Sequence, residues 1–132
     1  MSILLVGADG QLGFELLREL GPAAIALTHR DIEIGDAVGT LAAVEAAAPE
    51  TVINTAAYHN LPDCEKDPER AFRVNVLGPR NLARACRKTG ARLVHISTDY
   101  VFDGRKPTPY TEDDVPCPLN VYGTSKAAGE FF

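Results

Sequence analysis

The sequence predicts an α/β fold built on a doubly wound parallel sheet, and three observations carry that prediction. Short apolar runs alternate with stretches of helical periodicity. The runs are too short for helices and rich in β-branched residues. The first run passes through a glycine-spaced turn directly into a helical pattern.

The elements follow in order. Ile3–Val6, Ala24–Leu27, Thr51–Asn54 and Arg92–Ser97 are the expected strands. Successive rather than alternating apolar residues in three of them suit strands covered on both faces. Gln11–Leu20 carries Leu12, Leu16, Leu17 and Leu20 at helical spacing and is stopped by Gly21-Pro22. Val38–Ala48 is alanine-rich and ends at Pro49. Asp67–Arg87 spaces Phe72, Val76, Leu82, Ala83 and Cys86 along one helix, bent near Gly78-Pro79, with Gly90 as its stop. Right-handed crossovers then give four parallel strands, with the order 3-2-1-4 expected. Gly104–Pro118 holds four of the nine prolines and reads as a long functional loop. A last helix begins after Asn120 and ends on Phe131-Phe132 without a stop signal, so the sheet reads as truncated: Rossmann-like, with helices on both faces.

Composition narrows the class. The 132 residues, 45% hydrophobic and 23% charged, suit one globular domain and exclude disorder or a collagen-like chain. No apolar run approaches the ~20 residues of a membrane span, and nothing resembles a signal peptide, so a cytoplasmic location without a membrane is expected. A net charge of −5 with scattered basic residues argues against a nucleic-acid partner. Cys64, Cys86 and Cys117 are odd in number and widely spaced, as reduced thiols are.

Gly7-Ala8-Asp9-Gly10-Gln11-Leu12-Gly13 has the spacing of a dinucleotide turn. Gly7 permits the tight turn, Gly10 lets a pyrophosphate approach the backbone, and Gly13 lets the helix pack on the strand. The helix N-terminus then faces the phosphates. Cofactor choice depends on the end of the second strand, Leu27-Thr28-His29-Arg30-Asp31. Arg30 there favours the 2′-phosphate of NADP(H), with NAD(H) as the other option and Asp31 as a neutralising neighbour.

Tyr122-Gly123-Thr124-Ser125-Lys126 places a tyrosine and a lysine on one helix face. A free phenol, with a pKa near ~10, is a poor acid at neutral pH, and an adjacent ammonium brings it into range. Thr98, at the carboxyl end of the fourth strand, is placed to donate a hydrogen bond to a substrate oxygen.

Together the three features resemble the extended short-chain dehydrogenase/reductase family. Gly7–Gly13, Val52–Tyr58, Ser97–Gly104 and Pro118–Lys126 narrow the resemblance to the dTDP-4-dehydrorhamnose reductases over the whole chain. The resemblance implies Thr98, Tyr122 and Lys126 as the catalytic set, with Tyr122 and Lys126 also on the cofactor. Gly10, Gln11 and Leu12 would contact the pyrophosphate, and Asp36 and Ala37 would lie beside the adenine. Ala57, Tyr58 and Ile96 would line the cofactor cleft, and Thr98 and Asp99 would meet the substrate. Glu15 matches a position that helps bind magnesium at a dimer contact in some members. Its other ligands would lie beyond residue 132, so no metal is expected, and a homodimer is the assembly implied. The implied reaction is NAD(P)H-dependent reduction of the C4 ketone of dTDP-4-dehydro-L-rhamnose to dTDP-L-rhamnose.

Two departures qualify this. Tyr58-His59-Asn60-Leu61-Pro62-Asp63-Cys64-Glu65 carries a bulky His and a Pro where the family has small polar residues, which bears on substrate identity. The family runs to roughly twice a single domain. Residues 1–132 are therefore expected to form an NAD(P)-binding domain without the family's substrate lobe, weak or inactive alone. Two other readings stay open: a nucleotide-sugar epimerase or dehydratase of the same superfamily, and a non-catalytic dinucleotide-binding regulatory module.

Overall fold

The computed structural model describes residues 2–132. Its elements are β1 (Ile3–Val6), α1 (Gln11–Leu20), β2 (Ala24–Leu27), α2 (Ala37–Ala47), β3 (Thr51–Asn54), α3 (Leu61–Lys66), α4 (Pro68–Phe72), α5 (Gly78–Thr89), β4 (Arg92–His95) and α6 (Val121–Gly129). A π-helical turn at Arg73–Leu77 joins α4 to α5, and a 3-10 turn occupies Asp99–Val101. All strand pairings are parallel.

The strands lie in the order β2-β1-β3-β4, which corrects the expected 3-2-1-4. The chain leaves β2, passes back over β1 through α2, and pairs β3 on the side of β1 that β2 leaves open. Such an order reverses direction between β1 and β3. Ligands of open α/β sheets bind at that reversal, outside the carboxyl ends of the strands.

Continuous apolar composition overstated strand burial. Only β1 is buried at every position. Because successive side chains alternate faces, burial of Ile3, Leu4, Leu5 and Val6 alike means that both faces of β1 are covered. One face carries Leu4, Val6 and Val52 against Val44 of α2 and Leu82, Ala85 and Cys86 of α5. Helix α1 packs on β1 and β2. Strands β2 and β4 are the sheet edges, so Ile25 and Val94 stay exposed.

The long third helical run, expected over Asp67–Arg87, is interrupted, and the cause is Pro79. Proline has no N–H, so it cannot donate to the carbonyl of Asn75 four residues back. The chain widens to a π turn in which Gly78 N donates to Arg73 O. The released Asn75 carbonyl faces Gly129 of α6, where a Cβ would collide with it. Helix α3 is a short element between β3 and the long helical run. It starts at Asn60, whose side chain accepts from Asp63 N at 3.1 Å, with Pro62 in its first turn.

Close packing of α1 on β1 makes a test. A Cβ on Gly13 would overlap the Gly7 carbonyl and sit 2.9 Å from Ala8 Cα, whereas one on Gly10 would meet only Gly7 O at 3.4 Å. Gly13→Ala is expected to lose about 2–3 kcal/mol in urea unfolding and Gly10→Ala less than about 0.5. Equal losses at the two positions would show the packing argument to be wrong.

Candidate functional site

The glycine turn lies at the carboxyl end of β1. Gly7 takes φ +85°, and a Cβ there would sit 2.6 Å from Ala56 N, so glycine is required on both counts. The Gly7 and Ala8 amides donate to Leu27 O at 2.9 and 3.1 Å, which ties the turn to the end of β2. Gly10 is the N-cap of α1 and supplies no side-chain cap. The first turn, Gln11-Leu12-Gly13, therefore begins with uncapped amides, and Gly10, Gln11 and Leu12 are exposed. That is the arrangement an anionic group at a helix N-terminus requires.

Arg30 follows the end of β2. Thr28 donates to Asp31 Oδ2 from its N at 2.8 Å and from its Oγ1 at 2.7 Å. These bonds hold the Asp31 carboxyl below its usual range. Asp31 is thus taken up by its own turn, and Arg30 makes no ion pair among the described residues. His29 Nδ1 lies 3.2 Å from Asp9 Oδ2, which brings this turn beside the glycine turn. Asp36 caps α2, accepting from Val38 N and Gly39 N at 3.1 Å each, with Ala37 as the first helical residue. A carboxylate so engaged offers a ligand less than a free one would.

Beyond β3, Thr55 Oγ1 donates to Val6 O at 2.9 Å and to Gly7 O at 3.1 Å, sewing the ends of β1 and β3 together. Ala57 and Tyr58 follow, and Asn75 fixes the backbone there. Asn75 Oδ1 accepts from Tyr58 N at 2.8 Å, while its Nδ2 donates to Tyr58 O at 2.9 Å and to Ser125 Oγ at 3.0 Å. Ser125 Oγ donates in turn to Tyr122 O at 2.8 Å. One buried amide thus links the cleft loop to the helix that carries Tyr122 and Lys126.

Helix α6 starts at Asn120, whose side chain accepts from Gly123 N at 2.7 Å. Across the fold, Glu65 of α3 accepts from Val121 N at 2.8 Å. Gly123 has no Cβ to block the Tyr100 carbonyl, so α6 lies against the 3-10 turn that follows Thr98. Lys126 is only 2% exposed, and its Nζ donates to Ile96 O at 2.6 Å. Tyr122 is half-buried, its ring edge-on to Tyr100 with centroids 5.7 Å apart. Thr98 Oγ1 accepts from Tyr100 N at 3.3 Å and donates to Asp99 Oδ1 at 3.2 Å. Thr98, Ile96, Tyr122 and Lys126 thus gather around the end of β4.

Burial pushes the Lys126 ammonium down to about 8, partly offset by Glu130. Burial, with Lys126 nearby, pushes His95 down to about 4. Asn54 Oδ1 accepts from Ala56 N at 3.1 Å, so its amide nitrogen faces His95 Nδ1, also at 3.1 Å. Nδ1 then accepts, and the imidazole proton sits on Nε2.

Asn54, Glu65, Asn75, His95 and Ser125 escaped the sequence reading. Their roles come from pairings across 17 to 56 positions, and only the Asn60 and Asn120 helix starts left a local signal. Within the stretch that departs from the family, the side chains of Asp63, Cys64 and Glu65 serve separate parts of the fold. Cys64 Sγ turns to Tyr58 O at 3.3 Å, Glu65 reaches α6, and Asp63 lies 3.9 Å from Lys66. Glu15 pairs with Arg18 at 2.6 Å.

The buried lysine makes a signed prediction. Its folded pKa lies below the ordinary 10.5, so between about 8 and 10.5 the unfolded chain binds the extra proton. Its contribution to stability therefore rises with pH across that window, by up to about 3 kcal/mol. Cys64 and Cys86, whose thiols burial pushes up, oppose this slope in both proteins compared. Lys126→Met is expected to be more stable at pH 7 by about 1–2 kcal/mol, with the advantage shrinking toward pH 10.5 in denaturant titrations. A constant difference between wild type and variant would refute the assignment.

Sequence and structure comparisons show which known proteins this chain is similar to. The chain is 43% identical over 130 residues to a dTDP-4-keto-6-deoxy-D-glucose reductase of Streptomyces niveus, covering 96% of this chain and 45% of that protein. It is 42% identical over 132 residues to a dTDP-4-dehydrorhamnose reductase of Burkholderia thailandensis, covering 98% and 44%. A dTDP-4-dehydrorhamnose reductase of Bacillus anthracis, solved in complex with NADP, superposes with a TM-score of 0.94 at 38% identity, covering 99% of this chain and 49% of that one. The chain thus spans about half the length of the curated relatives it matches. Its match to the family model described as RmlD substrate binding domain extends over residues 1–132, and the chain belongs to that family.

Proposed function

We propose that residues 1–132 form the NAD(P)-binding and proton-donating part of a reductase acting on a dTDP-linked 4-keto-6-deoxy sugar. The substrate is dTDP-4-dehydro-L-rhamnose and the product dTDP-L-rhamnose. The observation that carries this reading is the α6 face at the end of β4. There Tyr122 lies one turn from an almost fully buried Lys126 whose Nζ is fixed on the Ile96 carbonyl.

A reduced nicotinamide dinucleotide, when bound, supplies the hydride for C4. The uncapped amides of Gln11, Leu12 and Gly13 bind its pyrophosphate. Arg30, with the Asp31 carboxyl turned to Thr28, takes the 2′-phosphate, so NADP(H) is preferred and NAD(H) tolerated. The relative from Bacillus anthracis, crystallised with NADP, supports that preference. Ala57, Tyr58 and Ile96 line the cleft, and Asp36 and Ala37 lie toward the adenine.

The remaining steps belong to side chains. Thr98 Oγ1 turns its proton from Asp99 to the C4 oxygen, and Asp99 is released toward the sugar. Tyr122 Oη gives its proton to the oxygen as the C–O double bond becomes single. The ketone is reduced to an alcohol and the cofactor is oxidised by the same two electrons. Lys126 stabilises the resulting phenolate until solvent reprotonates it.

Titration of the purified chain with NADPH and NADH, followed by cofactor fluorescence, tests the reading. Micromolar NADPH binding is expected, with NADH weaker and Arg30→Ala narrowing the gap by about tenfold, the worth of one charge-assisted contact. Absence of binding to either nucleotide would defeat it. Turnover of the dTDP-sugar ketone by the 132-residue chain alone is expected to be weak.

A further inference from the structure

A buried ammonium needs a compensating charge, and one carbonyl does not supply it. The elements packed on α6 offer few candidates. From β4, His95 is pushed to its neutral form by burial and by Lys126, so it supplies no counter-charge. Glu65 of α3 is engaged at the other end of α6, on Val121 N. Asp99 of the 3-10 turn accepts from Thr98. Arg70 of α4 lies over the Tyr58 ring, the stem of Arg73 lies near Gly35, and Arg80 of α5 lines a cavity with Phe131 and Phe132. None of these three could balance a cation.

Glu130 can. It is the exposed residue that caps α6, still in helical backbone, and stands four residues after Lys126 as Lys126 stands four after Tyr122, so the three follow one another along one side of the helix. Its carboxylate is held from the sheet side, where Ser97 Oγ donates to Glu130 Oε1. Ser97 directly precedes Thr98 and follows Ile96, whose carbonyl accepts the hydrogen bond from Lys126 Nζ. A cavity of about 180 Å³ lies beside this bridge, with His95, Ser97 and Glu130 among its lining residues.

We propose that Glu130, tethered by Ser97, is the counter-charge of Lys126 and the positioning residue that keeps its ammonium charged beside Tyr122. The assignment of a role to that charge rests on the reductase reading above. The Ser97 tether also fastens the carboxyl end of α6 to the loop bearing Thr98, so the charge and the hydroxyl donor are fixed by one bridge. Glu130 acts through Lys126 and touches neither substrate nor cofactor.

The test reads the lysine itself. In the 132-residue chain labelled with ¹³C-lysine, the Lys126 signal is identified by its loss in Lys126→Met, and its midpoint is followed with pH. Glu130→Gln is expected to lower the midpoint from about 8 by roughly one unit. Ser97→Ala should lower it less, and Glu130→Asp should restore it. NADPH affinity should fall several-fold near pH 8 in Glu130→Gln and change little near pH 6. An unmoved midpoint in Glu130→Gln overturns the proposal, even if NADPH affinity drops, because the bridge would then be only a tether. Should Glu130→Gln fail to fold, Ser97→Ala decides in the same way. If the wild-type chain binds no NADPH, the reductase reading falls, while the midpoint still decides the counter-charge.

Discussion

The side-chain amide of Asn75 is the interaction on which the candidate site depends. It is buried, and it uses both ends: Oδ1 on Tyr58 N, and Nδ2 on Tyr58 O and Ser125 Oγ. Those bonds join three separate pieces of chain, the loop after β3, the π turn and α6. Truncating the amide would strand several buried partners at once, at about 1–3 kcal/mol each. The π turn that holds Asn75 exists because Pro79 cannot donate, and the same missing donor frees the Asn75 carbonyl for the close approach of Gly129. A missing hydrogen at residue 79 and a missing Cβ at residue 129 therefore cooperate to seat the helix that carries Tyr122 and Lys126.

Two opposite electrostatic strategies meet at the carboxyl end of the sheet. At α1 the backbone is left uncapped and exposed, so partial positive charge remains available to an anion. At α6 a full positive charge is buried, against its preference for water, and held by a carbonyl at 2.6 Å. The first arrangement costs little without a ligand because water satisfies the amides. The second costs stability whether or not a ligand is present, as the depressed Lys126 pKa records. A chain retains such a cost where the charge has work to do, as with other perturbed groups at functional sites. Neutral His95, oriented by Asn54, limits further strain by adding no second cation beside the first.

Much of this was legible in the sequence where the physics is local. Strands β1, β2 and β3 and helix α1 have the predicted ends, because apolar runs, a glycine turn and Gly21-Pro22 act on adjacent residues. The Tyr122–Lys126 pairing also follows from helical spacing alone. Strand order does not, because pairing β3 on the far side of β1 is decided by which edge remains open. The long Asp67–Arg87 helix was visible as a periodic run with a kink at Gly78-Pro79, but the widened turn lies just before that pair, where the orphaned bond falls. Asp36 shows how one position can carry two signals. Its position matched a cofactor contact, while its local chemistry, an acidic residue just before a helix, described an N-cap, and the structure gives it two amides to hold. Asn75 and Glu130 carried no local signal, since an asparagine in a helix and a glutamate near a helix end are ordinary in sequence.

The reversal of strand order explains why distant segments can share one site. Crossing back over β1 brings the turns after β1 and β3 side by side at the carboxyl edge, where Thr55 closes the gap between them. Strand β4 then extends the same edge and delivers Ile96 and Thr98 to α6. The loop over residues 103–118 is fastened mainly to itself. Tyr110 donates to Asp103 at 2.8 Å and stacks on Phe102 at 4.2 Å, and Lys106 pairs with Asp114. Its tie to the site is the Cys117 amide on Val101 O at 2.8 Å, with Pro118 against Gly123. A loop anchored at its ends and cross-linked within can change its exposed face without moving Lys126 or the glycine turn.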